Sequence, residues 1–194
     1  MAMAQAGPLA PLLTFEEYLA EGEISRQYDI VDGRRVYMPG PTRGHQRISK
    51  NLTRLLLRFE HASGVGQMYY APMDVLIRPV PLQTRQPDLL LISNERLARA
   101  AITDDTVFLT VAPELVVEIL SASDRGKAIA DKLDDYDKIS VGECWIVRPE
   151  GQTVEVRARD PRGHVNIAVY GQGQEVQSVI FPDLRVAVAD VFAE

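Results

Sequence analysis

Three runs in this sequence read as strands with little polar surface on either face: Met68 to Arg78, Asp88 to Ser93 and Pro113 to Leu120. A strand with one wet face alternates apolar and polar residues, whereas a strand buried on both faces reads as a continuous apolar run. These three are therefore expected at the centre of a sheet. Two of them carry a carboxylate where charge is costly. In Leu115-Val116-Val117-Glu118-Ile119-Leu120, Glu118 interrupts the face made by Val116 and Leu120. In Pro87-Asp88-Leu89-Leu90-Leu91-Ile92, Asp88 stands at the mouth of a strand without other charges. A buried carboxylate needs a proton, a partner or a cation, and two acids that can converge at neighbouring strands make a hard oxygen site for Mg²⁺.

Around these strands the pattern alternates. Thr14, with Glu16 and Glu17 behind it, is an N-cap that starts a short helix through about Leu19. Tyr28, Ile30 and Val36 flank Asp32-Gly33 as a hairpin. Ile48, Leu52, Leu55, Leu56 and Phe59 recur at helical spacing and predict a long amphipathic helix over 43–62, closed by Gly64 and Gly66. A Pro- and Gln-rich connection joins the first two central strands. Asp124 to Ile139 has helical period and precedes a strand at Cys144 to Val147. Val154 to Arg157 and Val165 to Tyr170 flank the turn Asp160-Pro161-Arg162-Gly163, and Val179 to Phe192 mixes a short strand with a turn. The expectation is an α/β chain: a flexible arm over 1–13, then a single domain over 14–194 with a mixed sheet.

Composition limits the function. With 21 Lys+Arg against 27 Asp+Glu the net charge is −6, so any nucleic-acid contact must come from a local cluster rather than from overall basicity. One cysteine, Cys144, and three histidines without ligand spacing argue against a zinc site. No uncharged apolar run approaches the roughly 20 residues of a membrane span, and Met1 to Leu13 lacks the basic start of a secretory signal; a cytoplasmic protein without membrane partners is expected. Familiar phosphate and hydrolase motifs fail at positions they require. Gly64-Val65-Gly66 has Tyr69 in place of a third glycine, and Gly126-Lys127 is followed by Ala128 rather than a hydroxyl residue.

The helix after Glu118 adds a cation. At about 100° per residue, Ile129, Leu133, Tyr136 and Ile139 form one stripe, and Lys132 falls inside it. Lys127, Asp131, Asp134, Asp135 and Lys138 fall outside, so Lys132 is the charge expected to face the sheet.

Pro87-Asp88, Glu118-Ile119-Leu120 and Lys132 together resemble the active-site signature of the PD-(D/E)XK nuclease superfamily. The usual lysine position, two residues after the second acid, is Leu120 here, so the resemblance places the lysine on the following helix. The wider pattern is similar to the large bacterial family of restriction-endonuclease-like proteins. It includes Tyr28-Asp29-Ile30-Val31-Asp32-Gly33, His45, Arg85-Gln86-Pro87-Asp88, Lys132 with Tyr136, and Glu143-Cys144-Trp145-Ile146-Val147. Ala122 and Arg148 depart from it, at turns.

The resemblance implies a restriction-endonuclease-like mixed sheet flanked by helices, with additional C-terminal β-hairpins. It implies an endonuclease dependent on Mg²⁺ or Mn²⁺ that hydrolyses phosphodiester bonds of nucleic acid, with DNA expected. Asp88, Glu118 and the backbone carbonyl of Ile119 would hold metal, and Lys132 would orient water or balance phosphate charge. Asp74, His45 and Tyr136 are candidates for a supporting shell. Arg43, Arg47, Lys50 and Arg54 on the long helix are candidates for phosphate contacts, or simply its solvated face. A homodimer fits enzymes that cut both strands. The competing reading is a non-catalytic nucleic-acid-binding or regulatory module that keeps the fold, with Glu118 and Lys132 as a structural ion pair.

Overall fold

The computed structural model describes residues 11–22, 24, 26–100, 102, 103, 106–121 and 126–194, with Lys127 described by its backbone only. Most of the expected arm, the start of the helix expected from Asp124, and Ala122 lie outside the described residues. In chain order the elements are α1 (Phe15–Glu21), β1 (Tyr28–Val31), β2 (Arg34–Tyr37), α2 (Arg43–Ser63), β3 (Gly66–Tyr70), β4 (Asp74–Pro79), β5 (Leu82–Arg85) and β6 (Leu89–Ser93). There follow α3 (Asn94–Ala100), β7 (Phe108–Leu109), β8 (Leu115–Ile119), α4 (Gly126–Lys138), β9 (Glu143–Arg148), β10 (Thr153–Asp160), β11 (Gly163–Tyr170), β12 (Glu175–Gln177), β13 (Arg185–Ala187) and α5 (Val188–Val191).

Local chemistry explains several boundaries. Thr14 and Glu17 close a reciprocal capping box on α1, each side chain accepting the other's backbone N–H. Thr42 caps α2 through the His45 N–H, and Gly64 ends it in the left-handed region at φ 61°. The β1–β2 turn places both Asp32 and Gly33 at positive φ, as a tight two-residue hairpin requires.

Six strands form one sheet in the order β11-β10-β9-β8-β6-β3, and five form a second in the order β2-β1-β5-β4-β7. Each sheet is mixed, with one parallel pair, β8 with β9 and β4 with β7. The hairpin β10–β11 extends the first sheet, and β12 pairs with β13 separately. The period-2 reading of the central strands is reproduced on both faces. Leu89, Leu91, Leu115, Val117 and Ile119 pack with Ile48, Leu52 and Leu56 of α2. Leu90, Ile92, Val116, Cys144 and Ile146 pack with Leu133 and Tyr136 of α4 and with Val75 and Ile77 of β4. Each fully buried aliphatic side chain there contributes about 1.5–3 kcal/mol relative to exposure.

The tertiary structure corrects the expected path in four places. Met68 to Arg78 is two strands in different sheets rather than one, because Pro72 cannot donate to a ladder, and its first part, β3, is the edge strand of the larger sheet rather than a central one, with alternate residues turned to solvent. The Pro- and Gln-rich connection contains β5, with all four residues buried between neighbours. α3 and α5 are short helices that the periodicity did not reveal. Asp135, expected outside the buried stripe of α4, is buried, because β5 of the second sheet covers that flank.

Candidate active site

Asp88 and Glu118 meet across the antiparallel pair β6–β8. Its register pairs Leu89 with Val117 and Leu90 with Val116, and one further step brings Asp88 opposite Glu118. Asp88 is held by the backbone beyond it: its Oδ2 accepts the Ile119 N–H at 2.7 Å. Its Oδ1 lies 3.3 Å from His45 Nε2 in the first turn of α2.

Glu118 is almost fully buried, and both its oxygens are engaged by α4. The Lys132 ammonium donates to Oε2 at 2.6 Å, and the Tyr136 hydroxyl donates to Oε1 at 2.5 Å. Burial pushes the Glu118 carboxyl up to about 7, and nearby Asp88 pushes the same way, while Lys132 and the Tyr136 hydrogen bond oppose. Burial works against the Lys132 ammonium too. The carboxylates of Glu118, Asp29 and Asp88 outweigh it, and Lys132 stays charged with its pKa above the ordinary lysine value.

Asp88, Glu118, Ile119, Lys132 and His45 line one cavity of about 320 Å³, together with the segment Met38 to Thr42. Its ionisable side chains are therefore two carboxylates, one amine and one imidazole. Among the described residues, no three His, Cys, Asp or Glu side chains gather closely enough to hold a metal by themselves.

The remaining sequence candidates are distributed differently. Tyr136 touches Glu118 directly, as described. Asp74 is buried at the start of β4, where it accepts the Tyr18 hydroxyl at 2.7 Å and lines a separate cavity of about 460 Å³ with Tyr28 and Gln86. Burial raises its pKa. On α2, Arg47 pairs with Glu194 at 2.5 Å. Arg43, Lys50 and Arg54 are exposed, and Lys50 lines a groove that also reaches His45 and Asp88.

A second buried cluster was not foreseen. The Arg85 guanidinium bridges Asp29 at 2.8 Å and Asp135 at 2.6 Å, tying β1, β5 and α4 together. Asp29 also accepts the Gln86 N–H at 3.0 Å, two residues before Asp88. The signal available in the sequence was an acid, Asp29, between the core residues Tyr28 and Ile30. Its partners come from distant segments and have no common period.

A mixed sheet flanked by helices, with opposed acids at two neighbouring strand ends and a lysine from the next helix, defines the class of restriction-endonuclease-like folds. The chain belongs to the Uma2 family, described as "Putative restriction endonuclease", whose family model matches residues 14–189. Among solved structures it is similar to one described as "a putative nuclease belonging to DUF820" from Anabaena variabilis ATCC 29413. The TM-score is 0.76 at 17% sequence identity, over 93% of this chain and 98% of that one. No curated protein matches the chain. Among the described residues, no helix is long and apolar enough to cross a membrane.

Proposed function

We propose that this protein is a divalent-metal-dependent endonuclease that hydrolyses phosphodiester bonds of nucleic acid, with DNA as the expected substrate. The observation that carries this reading is the convergence of Asp88, Glu118 and Lys132 on one cavity, with Glu118 buried beside Lys132. Burial raises the Glu118 pKa and Lys132 opposes it, so a further cation beside the carboxylate would favour its ionised form. The donors fit Mg²⁺ or Mn²⁺: all are hard oxygens, and Mg²⁺ keeps several waters and binds through one or two carboxylates plus substrate phosphate. Asp88, Glu118 and the Ile119 carbonyl would hold it. When bound, such an ion polarises the phosphate and lowers the pKa of a water.

The chain's own groups account for the rest. The Ile119 N–H and His45 fix the orientation of the Asp88 carboxylate. Tyr136 holds Glu118 Oε1, so that Oε2 faces Lys132. Lys132 brings a fixed positive charge to the cavity, suited to stabilising the extra negative charge that develops on the phosphate oxygens. Its origin on α4 compensates for Leu120, which sits in the lysine position of the superfamily signature. Arg43, Lys50 and Arg54, exposed on α2, are the candidates for contacts to backbone phosphates outside the cavity.

The test is cleavage of single- and double-stranded DNA and RNA with Mg²⁺ or Mn²⁺ by the wild type and by Asp88→Asn, which keeps an acceptor for the Ile119 N–H. The expected loss is about 10²-fold or more. Equal rates for the two proteins on every substrate would overturn the assignment and leave the non-catalytic module.

A further inference from the structure

The candidate active site does not end at Asp88. Beside it lies a groove of about 310 Å³ whose lining shares His45, Asp88, Gln27 and Pro41 with the first cavity. Its outer wall is Tyr70, the last residue of β3, which is 63% exposed. The position of Tyr70 is fixed by backbone. It pairs with Leu89 across β3–β6, and the next residue, Ala71, donates its N–H to the Asp88 carbonyl at 3.1 Å. A large ring is thus mounted on a rigid strand end, one residue from the acid, with most of its surface in solvent.

The opposite wall comes from α2. Lys50 is the only lysine or arginine among the described residues lining the groove; Gln46, Ser49 and Thr53 beside it are neutral hydrogen-bonding groups. A duplex held by its two backbones needs several phosphate contacts. A groove with one ammonium, one exposed ring and neutral side chains, with His45 and the Asp88 carboxylate where it meets the first cavity, matches a different ligand. An unpaired strand presents the face of a base for stacking and one phosphate per step, and base–aromatic stacking beside a backbone cation is how such strands are held. The acidic net charge, −6, points the same way, since it disfavours a wide basic footprint.

We propose that the site takes an unpaired nucleic-acid strand, with a base stacked on the Tyr70 ring and the adjoining phosphate at the Lys50 ammonium, so that the strand runs on past Asp88 into the Glu118–Lys132 cavity. This rests on reading that cavity as the nuclease site. Tyr70 is then a substrate-binding residue that selects strandedness rather than sequence.

Binding is measured without hydrolysis, by fluorescence anisotropy in EDTA, with a short fluorescein-labelled oligothymidine, the same strand annealed to its complement, and oligouridine of equal length. The unpaired probes are expected to bind about tenfold or more tighter than the duplex. Tyr70→Ala is expected to lose about tenfold on the unpaired probes and nothing on the duplex, and Tyr70→Trp to restore the loss. Lys50→Ala should reduce the salt slope by about one. The oligothymidine and oligouridine arms separate DNA from RNA as the source of the strand. Equal affinity for paired and unpaired probes, or no effect of Tyr70→Ala on unpaired ones, overturns the proposal. Because Asp88→Asn reads cleavage and these variants read binding, a protein that binds unpaired strands but cuts nothing would refute the nuclease reading alone.

Discussion

Glu143 and Glu118 lie on the adjacent parallel strands β9 and β8, and both are almost wholly buried. Their surroundings differ in kind. Glu143 accepts from Trp145 Nε1 at 2.6 Å, from the Ser178 hydroxyl at 2.8 Å and from the backbone N–H groups of Val179 and Ile180 at 2.8 and 2.9 Å. Four neutral donors from the chain itself surround the charge, and they pin the segment before β13 to the sheet. Glu118 has two donors, both from α4, and lines a cavity. The Arg85 cluster resembles Glu143 in being closed. Burial works against ionised Asp135, but Lys138 and Arg85 outweigh it and hold the carboxyl below its ordinary range. Burial alone therefore does not distinguish the candidate-site acid from a structural one. The distinguishing feature of Glu118 is a hydrogen-bond shell left incomplete on the side of a cavity.

The sharpest way to break that contrast is Glu143→Gln. The amide would turn an N–H₂ group toward at least one of the four donors and remove the charge that all of them solvate. A loss of about 4 kcal/mol or more in unfolding free energy is expected by denaturant titration, with cleavage by the remaining folded protein unchanged. A loss below about 1 kcal/mol would mean that the closed shell contributes little.

Glu118→Gln tests the other side through pH. The folded pKa, about 7, lies above the 4.5 of an unperturbed glutamate. Between those values the native state binds more protons than the unfolded state, so this group's contribution to stability falls as pH rises through the window. The fall is about 3 kcal/mol by pH 7, and Glu118→Gln should remove it. Denaturant curves collected from pH 4.5 to 7 would then converge for the wild type and the variant as pH rises if the variant starts out less stable. Strictly parallel pH dependences would contradict the raised pKa.

The smallest effect is expected for Tyr136→Phe, which deletes one donor to Glu118. Stability should drop by about 1–2 kcal/mol. Because that hydrogen bond lowers the Glu118 pKa, its removal should also move the acidic limb of the cleavage profile to higher pH. A profile that does not move would show that Tyr136 is core packing and nothing more.

Much of the site was legible because its parts obey local periods. The doubly apolar run around Glu118 and the mouth position of Asp88 follow from a period of two. The inward aim of Lys132 follows from the helical stripe through Ile129, Leu133 and Tyr136. The same helical reasoning misplaced Asp135, since a helix wheel shows which face is apolar and not which second surface arrives to cover a polar one. The capping box at Thr14 and the β1–β2 turn were equally local. The division of Met68 to Arg78 between two sheets was not, and neither was the strand within the Pro- and Gln-rich connection.

By itself, then, the amino-acid sequence determined that two carboxylates would stand at neighbouring strand ends, Glu118 buried and Asp88 half-buried, that a lysine would face Glu118 from the next helix, and which family the pattern resembles. These depend on residues within one turn or one pleat of each other. Only the tertiary structure decided that Asp88 stands opposite Glu118, that Arg85 joins Asp29 to Asp135, and that Tyr70 and Asp88 line one groove. Each of those is a register or packing relation between segments far apart in the chain, fixed by how buried surfaces match and not by any local period.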